Sequence, residues 1–393
     1  MTLKEQIKAE TKLILNEIIA IRRHLHQHPE LSFVEFKTSA FIEEKLKSWG
    51  VEFTSGIVKT GIVALISPDQ PVVKWIGLRA DMDALPMQEM NEVEYKSQND
   101  GIMHACGHDV HSAMLLGAIK VITKFRKELK VGVKCIFQPG EEKLPGGASL
   151  MIKEGVLENP ALDEIVALHV FPELEAGKIG FRPGMYMASC DEIRMTIKGK
   201  GGHGAMPHQN IDPILISSHL IVALQQIVSR HCPPEIPSVL SFGRIEGLGA
   251  TNVIPDEVKI EGTFRTMNEP WRAKAHEKIK TMSEELVKSM GGTIDVKIEV
   301  GYPYLENDPI LTESARIKVA AVIGESNIVH LPLRMTGEDF AYFSQHVPAT
   351  FIRIGVRNEA KGIVHAVHNT RFDIDESAIE IGILTLLAQV FEL

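Results

Sequence analysis

The stretch MHACGHDVH, residues 103–111, gathers His104, Cys106, His108 and His111, a thiol and imidazoles of the kind that hold borderline metal ions. The spacing Cys106-x-His108 on a glycine-containing turn lets a thiolate and an imidazole approach one centre, because alternate positions of an extended or turning segment face the same way. His104 and His108 are four apart, the spacing of two ligands on one helix face. Gly107 argues against a helix interior there, and the glutamate of an HExxH motif is absent. Cys106 and His108 are therefore the preferred pair, against the alternative of hydrogen-bonded histidines beside a core cysteine.

Further candidates follow apolar runs that read as strands. QPGEE sets Glu141 and Glu142 directly after VGVKCIF, and the Pro139-Gly140 turn could aim both carboxylates into one pocket, one for metal and one for protons. Taken alone, paired glutamates are as readily solvated. His169 ends the run EIVALHV, where an imidazole on a buried strand needs a partner. HAVHNTRFD offers His365 and His368, and LRADMDALP offers Asp81 or Asp83 to orient or bridge metals, although aspartate at such a junction also forms turns. One thiolate, several imidazoles and carboxylates at successive strand ends suit one or two ions such as Zn²⁺ or Mn²⁺. Open α/β sheets collect their sites at those ends.

The elements that must position these residues alternate. Residues 5–48 read as two helices split by HQHPELS and closed at Gly50. GIVALIS and VVKWIGLRADMDA read as buried strands, DVHSAMLLGAIKVITKFRKEL as an amphipathic helix, VGVKCIFQPGEE as a strand and turn, GGASLMIKEGVLE as a helix and EIVALHV as a strand. That alternation predicts an α/β layered core. Near residue 187 the texture changes to a βαββαβ-like set, an open-faced α/β sandwich, and beyond Tyr304 helix and strand alternate again. Residues 188–302 are thus expected to be an inserted domain within a discontinuous catalytic domain, 1–187 and 303–393.

The 393 residues, 44% hydrophobic and 24% charged, fit a two-domain globular enzyme. A net charge of −9 with scattered lysines and arginines argues against a nucleic-acid partner. No apolar run reaches the roughly 18 to 20 residues that span a bilayer, and the opening residues mix acids with apolar side chains, so no membrane association is expected. The four cysteines are far apart, which predicts a reducing cytoplasm rather than a disulfide framework.

The blocks RADMDALPMQE, HACGHDVH, QPGEE, ALHV, GKGGHGAMPH, GATNVIPDE, GTFRT, GEDFAYF and HNTRFD, with RRHLHQHPELSFVE before them, resemble the metal-dependent aminoacylase, hippurate hydrolase and auxin-conjugate amidohydrolase family, in order along nearly the whole chain. The resemblance implies a zinc-peptidase-like α/β core with a lid and dimerisation domain. It also implies a dinuclear site in which Cys106, His108, Glu142, His169 and His368 match the ligands and Glu141 the general base. His203, Asn252 and Arg265 match lid residues that bind substrate, the histidine reaching the partner subunit's site in a homodimer. Thr370, where many relatives carry proline, is a loop departure that touches no ligand.

The expected reaction is amide hydrolysis of an N-acyl amino acid, with two divalent ions per subunit, Zn²⁺ or Mn²⁺, while Co²⁺ or Ni²⁺ would also suit. A dipeptidase or carboxypeptidase using the same site is the nearest rival. A non-catalytic metal or thiol sensor is the rival of another class, disfavoured because a sensor gains nothing from a base at Glu141.

Overall fold

Strand Gly132–Gln138 is buried along its whole length, and in Trp75–Asp81 only Trp75 reaches partial exposure. Strands covered on both faces read as near-continuous apolar runs and sit inside parallel sheets. In the computed structural model, which describes residues 1–393, they lie at the middle of an eight-stranded sheet. Its order is Glu52–Ile57, Gly61–Ile66, Gly132–Gln138, Trp75–Asp81, Glu164–Glu175, Ala349–Arg357, Ile179–Phe181, Ile328–His330. Trp75–Asp81 runs parallel to both neighbours, and Ala349–Arg357 runs parallel to Glu164–Glu175. The carboxyl ends of these strands therefore open on one side, with Asp81 opposite Gln138 and Arg353 opposite His169.

Helix His108–Lys124 starts on that side. It is buried almost all round, where its sequence reads as amphipathic. One flank meets the sheet, and helices Leu3–Gln27 and Ala378–Val390 cover the rest, so a helix apolar on every side is what the position requires. Leu3–Gln27 begins with a capping box, Thr2 and Glu5 satisfying each other's backbone N–H groups. Two other expectations shift. EIVALHV does not stop at His169, because the strand continues to Glu175 while pairing with Ala349–Arg357 through a bulge. The helix after Gly146 is only Gly147–Lys153.

The chain divides into two compact units. The first comprises Met1–Met185, Glu306–Leu333 and Asp339–Leu393 and contains the large sheet. The second comprises Tyr186–Leu305 and Arg334–Glu338; the latter segment joins it through the Ala188 N–H, which donates to the Thr336 carbonyl at 3.2 Å. Its four strands are antiparallel, in the order Ser238–Glu246, Glu257–Thr266, Asp191–Lys198, Thr293–Val300. In Asp191–Lys198 buried and outward residues alternate, the mark of a sheet covered on one face. Helices Pro213–Gln226 and Glu269–Ser289 cover that face, with Ile193, Leu220, Leu224, Phe264 and Trp271 in its core. The first helix passes into a π-helical turn, Ile227–His231, before Cys232. No helix in either unit is long and apolar enough to cross a membrane.

Lys134 is an ionisable group inside the central strand, 1% exposed. Its Nζ donates to the carbonyls of Val156, Glu158 and Pro160 at 2.9, 2.8 and 2.7 Å, and burial pushes its pKa down to about 8. Lys134→Met fills the same space but leaves three carbonyls unpaired. It is expected to destabilise the protein by ~1–3 kcal/mol, read from urea unfolding midpoints.

Candidate metal centre

The side chains on the open side of the sheet are oriented by their neighbours. Asp81 accepts from Arg79 Nη1 at 2.6 Å and from His111 Nδ1 at 2.6 Å. The Val170 N–H donates to His111 Nε2 at 2.9 Å, so both ring nitrogens of His111 are engaged and it holds position rather than a ligand. Asp83 accepts from His108 Nδ1 at 3.1 Å, which orients the ring and turns Nε2 inward. That Nε2 is buried with no hydrogen-bond partner, and Oε1 of Glu142, also without a hydrogen bond, has the imidazole of His368 near it. Buried polar atoms of this kind normally find a partner, and a cation is one that suits both.

Gly107 explains how the cysteine reaches the same place. Its φ is +84°, and a Cβ would stand 2.5 Å from Cγ2 of Val170, so only glycine lets this turn lie against strand Glu164–Glu175. Cys106 Sγ then sits 3.5 Å from His169 Nε2. His169 donates from Nδ1 to the Val170 carbonyl at 2.7 Å, leaving Nε2 as the lone pair. From the opposite side His368 Nε2 lies 3.1 Å from Glu142 Oε1, with the His368 N–H anchored on the Ala105 carbonyl at 2.8 Å. Two donor sets result, Cys106–His108–His169 and Cys106–Glu142–His368, each with donor atoms within 4.8 Å of one another and both sharing the thiol. Glu141 joins His108 and Glu142 in a third, and its Oε1 accepts from the Asp339 N–H at 3.3 Å.

The electrostatics call for positive charge. Burial alone would push His108 down, yet Asp81, Asp83 and Glu142 raise its pKa to about 10. Burial raises Asp81, but His108, Arg79 and His111 outweigh it and hold the carboxyl well below the usual range. Burial drives the Cys106 thiol well up, and Glu142, Glu141 and Asp81 add to that. A thiolate forms there only with a cation beside it. Burial, then Arg353 and His111, keep His169 neutral, so its Nε2 can meet an ion without first losing a proton.

Several contributors take roles that the sequence does not indicate. His111 lies three residues beyond His108 on the first helical turn, a spacing that places both on one face. Arg79 bridges Asp81 to Asp339, donating to the latter at 2.9 Å, and Arg22 and His26 of RRHLHQH both bind Asp109 at 2.8 Å, directly after His108. His104 packs toward His26 instead, ring centroids 6.4 Å apart, and His365 is in none of the donor sets. In the second unit, exposed His203 pairs with Val253 in a short ribbon, next to exposed Asn252. Arg265, half-buried, donates to Cys190 Sγ at 3.0 Å and to the Met335 carbonyl at 3.4 Å.

The profile of Peptidase family M20/M25/M40 matches residues 77–390. The chain belongs to that family. Among relatives of this M20-type chain, the N-acetyl-L-cysteine deacetylase of Bacillus subtilis is 39% identical over 380 residues, 96% of this chain and 89% of that protein. Thermostable carboxypeptidase 2 of Saccharolobus solfataricus is 37% identical over 387 residues, 98% and 97% of the two chains. A solved Bacillus subtilis structure, described as a dinuclear metal binding peptidase from the M20 family, superposes with a TM-score of 0.83 at 33% identity, covering 96% of this chain and 98% of that one. The M20 membership makes the protein a hydrolase of amide bonds, and the sensor alternative falls.

Because the donors converge in the folded chain only, a bound ion should stabilise it by mass action. Free Zn²⁺ at a hundred times its dissociation constant is expected to add about 2.7 kcal/mol. Thermal melts with Zn²⁺ against EDTA check this; Cys106→Ala, which touches both donor sets, should remove most of the difference, and His169→Ala the part that belongs to one ion.

Proposed function

We propose that the protein hydrolyses the amide bond of N-acyl amino acids, releasing a carboxylic acid and a free amino acid. Two divalent ions, Zn²⁺ or Mn²⁺, would be held by Cys106, His108, Glu142, His169 and His368. The observation that carries this proposal is the pair of donor sets sharing Cys106, with Glu141 alongside. The relatives support the bond: a deacetylase of an N-acetyl amino acid and a carboxypeptidase both cleave an amide on the nitrogen of an α-amino acid.

Bound ions supply Lewis acidity that polarises the amide carbonyl and eases the deprotonation of water. Glu141, held by the Asp339 N–H, takes the water's proton and passes it to the departing amine. Asp83 and Asp81 keep His108 and His111 in the orientations described above. His203 would donate to the oxyanion that develops, Arg265 would offer a forked partner to the amino acid carboxylate, and Asn252 would complete the substrate contacts. These three roles rest on the motif resemblance, as does a homodimer in which His203 serves the partner's site.

Glu141→Gln keeps shape but cannot take the proton. Turnover is expected to fall by roughly 10²- to 10⁴-fold with metal content unchanged by elemental analysis; unchanged turnover would sink the mechanism. Profiling the metal-loaded enzyme on N-acetyl and N-benzoyl amino acids and on dipeptides separates the amidohydrolase from the carboxypeptidase, the latter preferring the peptides. For the homodimer, mixing inactive His203→Ala with inactive Glu141→Gln should restore activity once subunits exchange, because one composite site then holds both groups. Exchange without activity would confine His203 to its own chain or remove it from catalysis.

A further inference from the structure

We infer that Glu35 is a positioning residue for the Glu141–Glu142 turn, and through it for the ion that Glu142 and His368 would hold. The inference rests on the ligand assignment proposed above. Glu35 is fully buried, far from any solvent role, and one of its carboxylate oxygens takes a backbone N–H of the turn that presents the paired glutamates, while its remaining bonds fix the carboxylate in place. Oε1 accepts from the Gly140 N–H at 2.9 Å and from the Phe33 N–H at 2.8 Å, while Oε2 accepts from the Thr60 hydroxyl at 2.7 Å.

Phe33 closes the same contact from below. Its φ is +67°, and its ring fills the space a Cβ on Gly140 would need, 2.4 Å from that position. Gly140 itself has φ +61°, so the turn can take this shape only as glycine. One residue earlier, Ser32 donates to Asp83 Oδ2 at 2.6 Å, and the same oxygen accepts from the Glu142 N–H at 3.0 Å. The segment Ser32–Glu35 thus grips the turn at Gly140 and again, through Asp83, at Glu142. Cys106, His108 and His169 are carried by other elements, the turn before helix His108–Lys124, the helix itself and strand Glu164–Glu175, and His108, held at Nδ1 by Asp83, shares no hydrogen-bond partner with Glu35. Loosening the grip should therefore act on one donor set more than on the other. A merely structural Glu35 would lower stability and affect both sets alike.

The test uses the full chain stripped of metal and titrated with Zn²⁺ by calorimetry, alongside kcat and KM of the reloaded enzyme. The wild type should take two ions. Glu35→Ala should keep one with unchanged affinity and bind the second about 10- to 100-fold more weakly, the usual effect of losing a group that orients a ligand, with kcat falling while KM holds. Glu35→Gln keeps an acceptor oxygen for the Gly140 N–H and an amide for Thr60, and should restore the second ion. If Glu35→Ala does not fold, Thr60→Val carries the test and should show a smaller loss confined to the second ion. Two unchanged affinities in the folded variant, or equal weakening of both ions, overturn the inference alone. A wild type that takes up no Zn²⁺ overturns the ligand assignment with it.

Discussion

Asp81 and Asp83 stand side by side out of water, with His108 between them and Glu142 beyond. Charges so buried persist only where partners compensate them, and much of the surrounding structure is that compensation. Arg79 rises from the same strand to bind Asp81, Gln138 and Asp339. Arg22 and His26 reach from the first helix to Asp109. These pairs neutralise the periphery and leave the middle, where the thiol and the inward-facing nitrogens converge, short of positive charge. A pocket prepared in this way favours divalent cations before any substrate arrives.

The periphery also determines which atoms can react. A histidine offers a lone pair at only one nitrogen when neutral, and the other must be committed elsewhere. Asp83 commits Nδ1 of His108, and the Val170 carbonyl commits Nδ1 of His169. His111, bound at both nitrogens, is withdrawn from ligation despite lying at the same helix terminus. Chemically similar side chains thereby acquire different duties through backbone and carboxylate contacts alone.

Much of this was legible in the chain. Gly132–Gln138 and Trp75–Asp81 announced themselves as apolar runs, and the acids and histidines that follow such runs stood out by type. Edge strand Glu52–Ile57 escaped notice because it is polar and mostly exposed, so it carries no apolar run. The helix from His108 misled for the opposite reason, since its lysines lie at one end while apolar residues surround the rest. What local pattern cannot carry is pairing across the chain. Glu35 meets Gly140 over 105 positions and Arg79 meets Asp339 over 260, and only the folded sheet brings them together. The side chains with reactive atoms were visible by residue type, whereas those that aim them were hidden by distance.

The sheet order also bears on how the protein is made. Strand Glu164–Glu175 waits for its parallel partner Ala349–Arg357 until the entire second unit has been synthesised. That unit has its own core, and all of it but Arg334–Glu338 lies in one stretch of chain, so it emerges before Ala349–Arg357 does. The run EIVALHV meanwhile keeps one unpaired backbone edge, an apolar template for association with other nascent chains. Helix Ala378–Val390, which packs against His108–Lys124, comes later still. A chain that lacks these last elements has an apolar strand edge left open in the middle of its sheet, so closing that sheet depends on residues that follow the second unit.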